Sequence, residues 1–212
     1  MKVEIWSDYV CPYCYMGKKR FEEGLSLFEG KDSVEVEFRS FELEPQAKVD
    51  GNPSVYALLE KKYGLNRERA SQTLDDITRQ AKQVGLNYNM DITIQTNTFD
   101  AHRLTHYAKN LGLAEAFSER LFRAHFTNGL HIGDQKTLIL LAEEVGMSKE
   151  DVLNILEGNQ FAEDVHKDEQ DAHKLGVRGV PFFLIDGKHI VSGAQSSETF
   201  LKPLEQAASS TI

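Results

Sequence analysis

The chain has two cysteines among its 212 residues, and both lie in the segment Cys11-Pro12-Tyr13-Cys14. Two thiols separated by two residues across a tight turn can close a disulfide with each other with little rearrangement. Since the chain has no other cysteine, neither thiol has a second partner for a structural cross-link within it. The motif is therefore more typical of a catalytic, redox-sensing or metal-binding pair than of a stabilising disulfide.

The residues around the two cysteines predict a strand before them and a helix after them. Lys2 to Trp6 is typical of a strand, and the segment from Cys14 to about Phe28 places its apolar residues on one helical face. Cys11 would then lie at a helix N-terminus, where unpaired backbone N–H groups and the helix dipole favour negative charge. Such a position stabilises a thiolate, which is the nucleophilic form of cysteine.

The pattern along the remaining chain changes twice. Apolar and charged residues alternate from Ser33 to Arg39, which predicts a second strand parallel to the first. A long helical stretch follows, and then the apolar run Phe182–Ile185 with the turn signal Asp186-Gly187 predicts a hairpin. A last helix is expected over roughly 197–207.

These elements predict an α/β fold with a β-α-β segment at the start of the chain and a β-β-α segment at its end. Residues 1–44 and 176–212 would form one discontinuous domain, and residues 45–175 would form an inserted, all-helical domain. We find no internal repeat and no low-complexity linker that would suggest a different organisation.

Charge and hydropathy narrow the expected partners and location. The formal net charge of −9 argues against nucleic acid or an anionic membrane as the main partner, because both require clustered positive charge. No segment approaches the ~20 apolar residues needed to cross a bilayer. Glu4 and Asp8 interrupt the region where a secretion signal would have its apolar core, so we expect a cytoplasmic protein. The oligomeric state is not indicated.

Four segments, taken in order, resemble the FrnE-like branch of the DsbA family. They are Ser7-Asp8-Tyr9-Val10-Cys11-Pro12-Tyr13-Cys14, Asn97-Thr98-Phe99-Asp100-Ala101-His102-Arg103, Leu121-Phe122-Arg123-Ala124-His125-Phe126 and Gly179-Val180-Pro181-Phe182-Phe183. The resemblance covers essentially the whole chain and implies a thioredoxin fold interrupted by a helical domain. It implies dithiol–disulfide exchange with protein thiols or disulfides, without a bound cofactor or metal. The segment Cys-Pro-Tyr-Cys is also that of glutaredoxins, so glutathione stays open as the reductant.

The resemblance also implies roles for the residues of the motif. Cys11 would attack a substrate disulfide, and Cys14 would resolve the mixed disulfide by closing the Cys11–Cys14 bond. Pro12 would restrict the loop and Tyr13 would shield one side of it. Tyr13 replaces the Trp that the branch often has, and this dipeptide tunes the redox potential. A bias towards oxidase, reductase or isomerase activity therefore stays open.

Four further residues are candidates for the cleft around the cysteines. The fold implies that Pro181 forms a cis peptide bond facing the motif, and that the backbone of Val180 pairs with an extended substrate. Asp8 is expected to accept a proton from Cys14 or to orient a water molecule, with an exposed turn or cap residue as the alternative. His102 is expected near Cys11, with a surface histidine paired to Asp100 or to water as the alternative.

Three other functions compete with disulfide exchange. Cys11 and Cys14 could bind zinc together with His102 and His106, which are spaced one helical turn apart. The chain is also similar in fold and insertion to glutathione-dependent isomerases and kappa-type transferases, which tend to carry Ser at the two cysteine positions. Finally, related DsbA-like proteins act as non-enzymatic adaptors for proteolysis.

Overall fold

The computed structural model describes residues 1–49 and 54–209. The strands are β1 Lys2–Ser7, β2 Glu35–Ser40, β3 Phe182–Ile185 and β4 His189–Ser192. The helices are α1 Pro12–Leu27, α2 Val55–Tyr63, α3 Arg67–Gln83, α4 Phe99–Asn110, α5 Ala114–Phe126, α6 Gln135–Glu144, α7 Lys149–Glu157, α8 Ala162–Lys174 and α9 Ser197–Ser209. Within the described ranges, no helix is both long enough and apolar enough to span a bilayer.

The chain divides into two compact units, Met1–Leu43 with Val165–Ile212 and Glu44–Asp164. The first unit contains a four-stranded sheet, in the described part of the chain, with the order β2-β1-β3-β4. β1 pairs with β2 in parallel and with β3 antiparallel, and β3 and β4 form the antiparallel hairpin. The predicted α/β class, with a β-α-β and a β-β-α segment, is confirmed.

One face of the sheet is covered by α1 and α9 and is almost entirely apolar. Val3 and Ile5 of β1 point to this side, because side chains two residues apart share a face of a strand. Phe21 of α1, Phe183 of β3 and Phe200 of α9 pack there, with ring centroids 4.6–5.6 Å apart. This cluster fixes α1, and with it the two cysteines, against the sheet.

The opposite face meets α8 through a smaller apolar cluster, which includes Trp6 and Ala172, and through polar contacts. The indole N–H of Trp6 donates to the carbonyl oxygen of Asp168 at 2.9 Å. The buried Asp168 carboxylate accepts hydrogen bonds from Arg39 at 2.7 Å and from the Ser40 N–H at 2.9 Å. These contacts place most of α8 in the first unit. The second segment of this unit therefore begins at Val165, whereas the sequence predicted a border between residues 175 and 176. The prediction was wrong because contacts between residues distant in the sequence determine this border.

Helices α2 to α7 form the second unit, and the described part of this unit contains no strand. Asp134 and Ser148 cap α6 and α7 by accepting the N–H groups of Thr137 and Asp151. The buried Arg103 of α4 donates to backbone carbonyl oxygens around the end of α7, including Gly158 at 2.6 Å. Carbonyl groups at a helix end lack helical partners, so Arg103 joins two helices by satisfying them.

Candidate active site

The two cysteines lie where β1 ends and α1 begins. The Cys11 N–H donates to the Asp8 carbonyl oxygen at 3.1 Å, and the Cys14 N–H donates to the Cys11 carbonyl oxygen at 3.0 Å. Cys11 is the N-cap residue and Pro12 is the first residue of α1. Proline suits this position, because its ring presets the helical φ and no helical acceptor exists for its missing N–H. The helix therefore begins two residues before the predicted Cys14.

The two thiols are not joined in a disulfide in this structure, and both are enclosed by protein. Cys11 keeps 5% of its surface exposed and Cys14 keeps 1%, so Cys14 is the more enclosed of the two. The Cys11 thiol donates to the carbonyl oxygen of Val180, with a sulfur–oxygen distance of 3.6 Å. The Asp8 N–H points at the sulfur of Cys14, with a nitrogen–sulfur distance of 3.4 Å.

The surroundings of Cys14 favour its neutral form. Burial raises the pKa of the Cys14 thiol, and the hydrogen bond to Cys11 and the Cys11 charge raise it further. A hydrogen bond from the Ser7 hydroxyl and one from the Asp8 N–H lower the pKa, but these effects are smaller. Cys14 can thus donate its proton in a hydrogen bond to the Cys11 sulfur, which stabilises negative charge on that atom.

Pro181 lies next to the helix that carries the cysteines. Its peptide bond with Val180 is cis, and its carbonyl oxygen accepts the Gly193 N–H at 2.8 Å. A Cβ atom on Gly17 of α1 would lie 2.7 Å from the Pro181 Cγ atom, which is closer than atoms pack. The absence of a side chain at Gly17 therefore allows α1 to approach Pro181.

Asp8, Pro12 and Tyr13 complete the surroundings of the cysteines in the first unit. Asp8 is buried, so the alternative of an exposed turn residue is wrong. One oxygen of its carboxylate accepts the Leu43 N–H at 2.7 Å. Tyr13 is 40% exposed and Pro12 is partly buried, so this part of the loop reaches the surface.

His102 belongs to α4 in the second unit, and so does His106. His102 is buried, which contradicts the alternative of a surface histidine, and Asp100 pairs with Arg103 at 2.8 Å. Its predicted place near Cys11 stays a prediction. Over residues 1–49 and 54–209, no three His, Cys, Asp or Glu side chains converge in a way that would suit a metal ion.

Ser7 is not among the residues predicted from the sequence, although its hydroxyl is bonded to the sulfur of Cys14. The alternation of β1 carries the signal that could have identified it. Val3, Ile5 and Ser7 share one face of the strand, and the first two pack under α1. A hydroxyl at the end of this apolar face must therefore point towards the helix that carries the second cysteine.

Comparison with known proteins agrees with this geometry. The model of a DSBA-like thioredoxin domain matches residues 2–205. The uncharacterized protein YwbO of Bacillus subtilis (strain 168) is 31% identical over 204 residues, which are 95% of this chain and 94% of YwbO.

Solved structures share the same fold. A probable DsbA oxidoreductase from Streptomyces coelicolor, SCO1869, is similar with a TM-score of 0.95 and 41% identity, over 99% of this chain and 90% of that one. A 2-hydroxychromene-2-carboxylate isomerase has a TM-score of 0.72 at 18% identity, over 100% and 96% of the chains. The cytosolic disulfide reductase DsbM from Pseudomonas aeruginosa, solved with GSH, has a TM-score of 0.67 at 16% identity, over 100% of this chain and 98% of that one. The last two similarities concern the fold alone.

Proposed function

Because the chain belongs to the DsbA-like thioredoxin domain family, we propose that it is a thiol–disulfide oxidoreductase that uses Cys11 and Cys14. One observation carries this proposal. The two thiols lie side by side at the start of α1, and the Cys11 thiol also contacts the Val180 carbonyl group just before Pro181. The 41% identity to a probable DsbA oxidoreductase supports the same activity.

The reaction follows from the two sulfur environments. In the reducing direction, the Cys11 thiolate attacks a substrate disulfide, a bond forms to one substrate sulfur, and the other leaves as a thiolate that takes up a proton. Cys14 then loses its proton and attacks the Cys11 sulfur, which closes the Cys11–Cys14 bond and releases the second substrate thiol. Two cysteine sulfurs are oxidised and two substrate sulfurs are reduced. The reverse sequence oxidises a substrate dithiol.

The neighbouring residues have distinct tasks in this proposal. The exposed Tyr13 and the adjoining Pro12 are the part of the loop that meets the substrate. Val180 offers its backbone to an extended substrate next to Cys11, and Pro181 holds this segment against α1. Asp8 accepts the proton of Cys14, directly or through water, because its carboxylate is buried in the turn that leads to the cysteines.

We further propose a cytoplasmic protein of the FrnE-like branch, with protein disulfides or glutathione as its exchange partners. The fold is shared with a cytosolic disulfide reductase solved with GSH, and the Cys-Pro-Tyr-Cys segment is also that of glutaredoxins. Both points favour glutathione as the reductant that returns the Cys11–Cys14 disulfide to two thiols.

Two other functions make different predictions. A glutathione-dependent isomerase or transferase, whose fold this chain shares, would retain its glutathione-conjugating or isomerising activity in Cys11→Ser. If the chain is a non-enzymatic adaptor, the double variant Cys11→Ser/Cys14→Ser should rescue the phenotype of a deletion strain as fully as the wild type does. The two adjacent thiols favour disulfide exchange over both.

The direct test of the proposal is the reduction of a protein disulfide, such as those of insulin, with glutathione as the electron source. The wild-type protein should accelerate the reaction, and Cys11→Ser/Cys14→Ser, which keeps the fold and the size of both side chains, serves as the background. Equal rates for the two proteins would refute the proposed activity. Cys14→Ser should then hold its substrates on Cys11 as mixed disulfides, and their identification would define the substrate class.

A further inference from the structure

Two hydrogen-bond donors face the sulfur of Cys14, and neither has a role in the mechanism described above. The Ser7 hydroxyl bonds to it from the end of β1, and the Asp8 N–H points at it from 3.4 Å. Ser7 is buried, with 6% of its surface exposed, so few water molecules compete for this hydroxyl.

The two donors are held in place by the surrounding backbone. Ser7 is the last residue of β1 and is paired with Ser40 of β2. The carbonyl oxygen of Asp8 accepts the Cys11 N–H at 3.1 Å, and its carboxylate accepts the Leu43 N–H at 2.7 Å. Neither donor needs to rearrange to meet charge on the sulfur, and such preorganisation is what makes hydrogen bonds effective in a reaction.

We propose that the Ser7 hydroxyl and the Asp8 N–H stabilise Cys14 as the resolving thiolate by donating two hydrogen bonds to its sulfur. Ser7 is then a catalytic residue, because it touches a reacting atom. This assignment rests on the proposed disulfide exchange, and it concerns its second step only.

The chemistry of the second step explains why the donors are needed there. Before the reaction, the hydrogen bond between the two sulfurs and the Cys11 charge both raise the Cys14 pKa and so help to keep Cys14 neutral. Once Cys11 is bonded to a substrate sulfur, its charge is gone and both effects disappear. Burial alone then opposes ionisation of Cys14, and the hydrogen bonds from the two donors offset this effect of burial on the Cys14 pKa. Cys14 passes its proton to Asp8, directly or through water, and Asp8 returns a proton through water to the departing substrate sulfur, so that protons balance.

The test uses dithiobisnitrobenzoate, an aromatic disulfide that releases one coloured thiolate when Cys11 attacks and a second when Cys14 resolves. Stopped-flow traces of wild type and Ser7→Ala give both rates as a function of pH. A hydrogen bond to a charged group shifts the Cys14 pKa by roughly one to two units. Since a more basic thiolate is also more nucleophilic, the second release should slow by only about three- to tenfold below that pKa.

The expected signature is a pH profile of the second release that moves to higher pH, with an unchanged rate of the first release. Ser7→Thr, which keeps the hydroxyl, should restore the profile. Ser40→Ala is the matched control, because it removes a buried hydroxyl at the paired position of the next strand. It should leave both releases unchanged.

Two results would overturn the proposal. An unmoved profile of the second release in Ser7→Ala would show that the hydroxyl does not stabilise the resolving thiolate. Equal slowing of both releases would show that Ser7 supports the site as a whole instead of Cys14. Failure of the proposed function is distinguishable from both, since the wild-type protein itself would then give no second release.

Discussion

The two faces of the sheet in the first unit are built from different interactions. Rings and aliphatic side chains fill the face under α1 and α9, whereas the face under α8 combines a smaller apolar cluster around Trp6 with charged groups. Both faces fix a helix to the same strands. The thiols lie at the end of the apolar face. This position explains why burial is the main cause of the raised Cys14 pKa.

On the face under α8, buried charged groups must be paired with one another. Arg39 donates hydrogen bonds to the carboxylates of Glu4 and Asp168, and these two carboxylates raise the Arg39 pKa. Its guanidinium group also lies 5.9 Å from the centre of the Trp6 ring. Charges on this face neutralise one another. We expect changes under α8 to affect stability only, whereas changes under α1 that shift the residues around the cysteines should affect stability and disulfide exchange together.

The largest expected effect is that of Phe183→Ala in the apolar face. Phe183 is fully buried between the Phe21 and Phe200 rings, so truncation leaves a cavity. The free energy of unfolding should fall by about 3–5 kcal/mol, measured by urea denaturation. Disulfide exchange should slow as well, because α1 loses a packing partner. A loss below 1 kcal/mol, a value typical of surface changes, would show that the cluster does not hold α1.

Asp168→Ala probes the charged face. It leaves the Ser40 N–H and one guanidinium nitrogen of Arg39 without their carboxylate, although Arg39 keeps Glu4. We expect a loss of about 2–3 kcal/mol in unfolding free energy with an unchanged rate of disulfide exchange. Asp171→Ala on the same helix is the control, and its exposed pair with Lys174 should contribute little. A slower disulfide exchange in Asp168→Ala, at a temperature where the variant is folded, would show that the face under α8 also supports the chemistry.

Two glycines of α1 separate packing from chemistry within the apolar face. A methyl group at Gly17 would press on Pro181, and one at Gly24 would press on the carbonyl oxygen of Ser197. Both Gly→Ala changes should cost about 1–3 kcal/mol through overpacking. Only Gly17→Ala should slow disulfide exchange, because only Pro181 lies beside Cys11. Equal exchange rates in the two variants would contradict the role of Pro181.

The smallest expected effect is a pH dependence of stability in the reduced protein. The folded state raises the Cys14 pKa, so the folded protein retains a proton that the unfolded chain loses above about pH 8.5. Unfolding free energy should therefore fall with rising pH, by up to ~1.4 kcal/mol per unit, until Cys14 ionises in the folded state. Urea denaturation of wild type and Cys14→Ala between about pH 8 and 10 measures it. Parallel curves would show that burial does not oppose the Cys14 thiolate.

Local patterns predicted most of the fold. Strict alternation in β2, the apolar run of β3 and the turn signal Asp186-Gly187 gave strands close to those observed. Helix caps such as Asp134 and Ser148 are local in the same way, because each side chain accepts an N–H group only three residues further along the chain. The border at Val165 was not predicted, because it depends on Asp168 contacting residues more than a hundred positions away.

The candidate site was predictable to a similar extent. Cys11, Cys14 and Pro181 follow from the motif and from the fold that the resemblance implied. The burial of Asp8 and His102 did not, since both are polar residues for which a surface position is the ordinary expectation. Ser7 was missed because a serine in a strand has no chemical signature of its own, and only its place at the end of the apolar face of β1 indicates that it points towards α1.

The central claim is that Cys11 receives the substrate sulfur and that Cys14 resolves it. Peptide mapping by mass spectrometry after brief exposure to glutathione disulfide tests this claim most directly. We expect a Cys11–Cys14 disulfide in the wild type, a glutathione adduct on Cys11 in Cys14→Ser, and a much slower adduct on Cys14 in Cys11→Ser. Two free thiols in the wild type, or an equally fast adduct on Cys14, would contradict it.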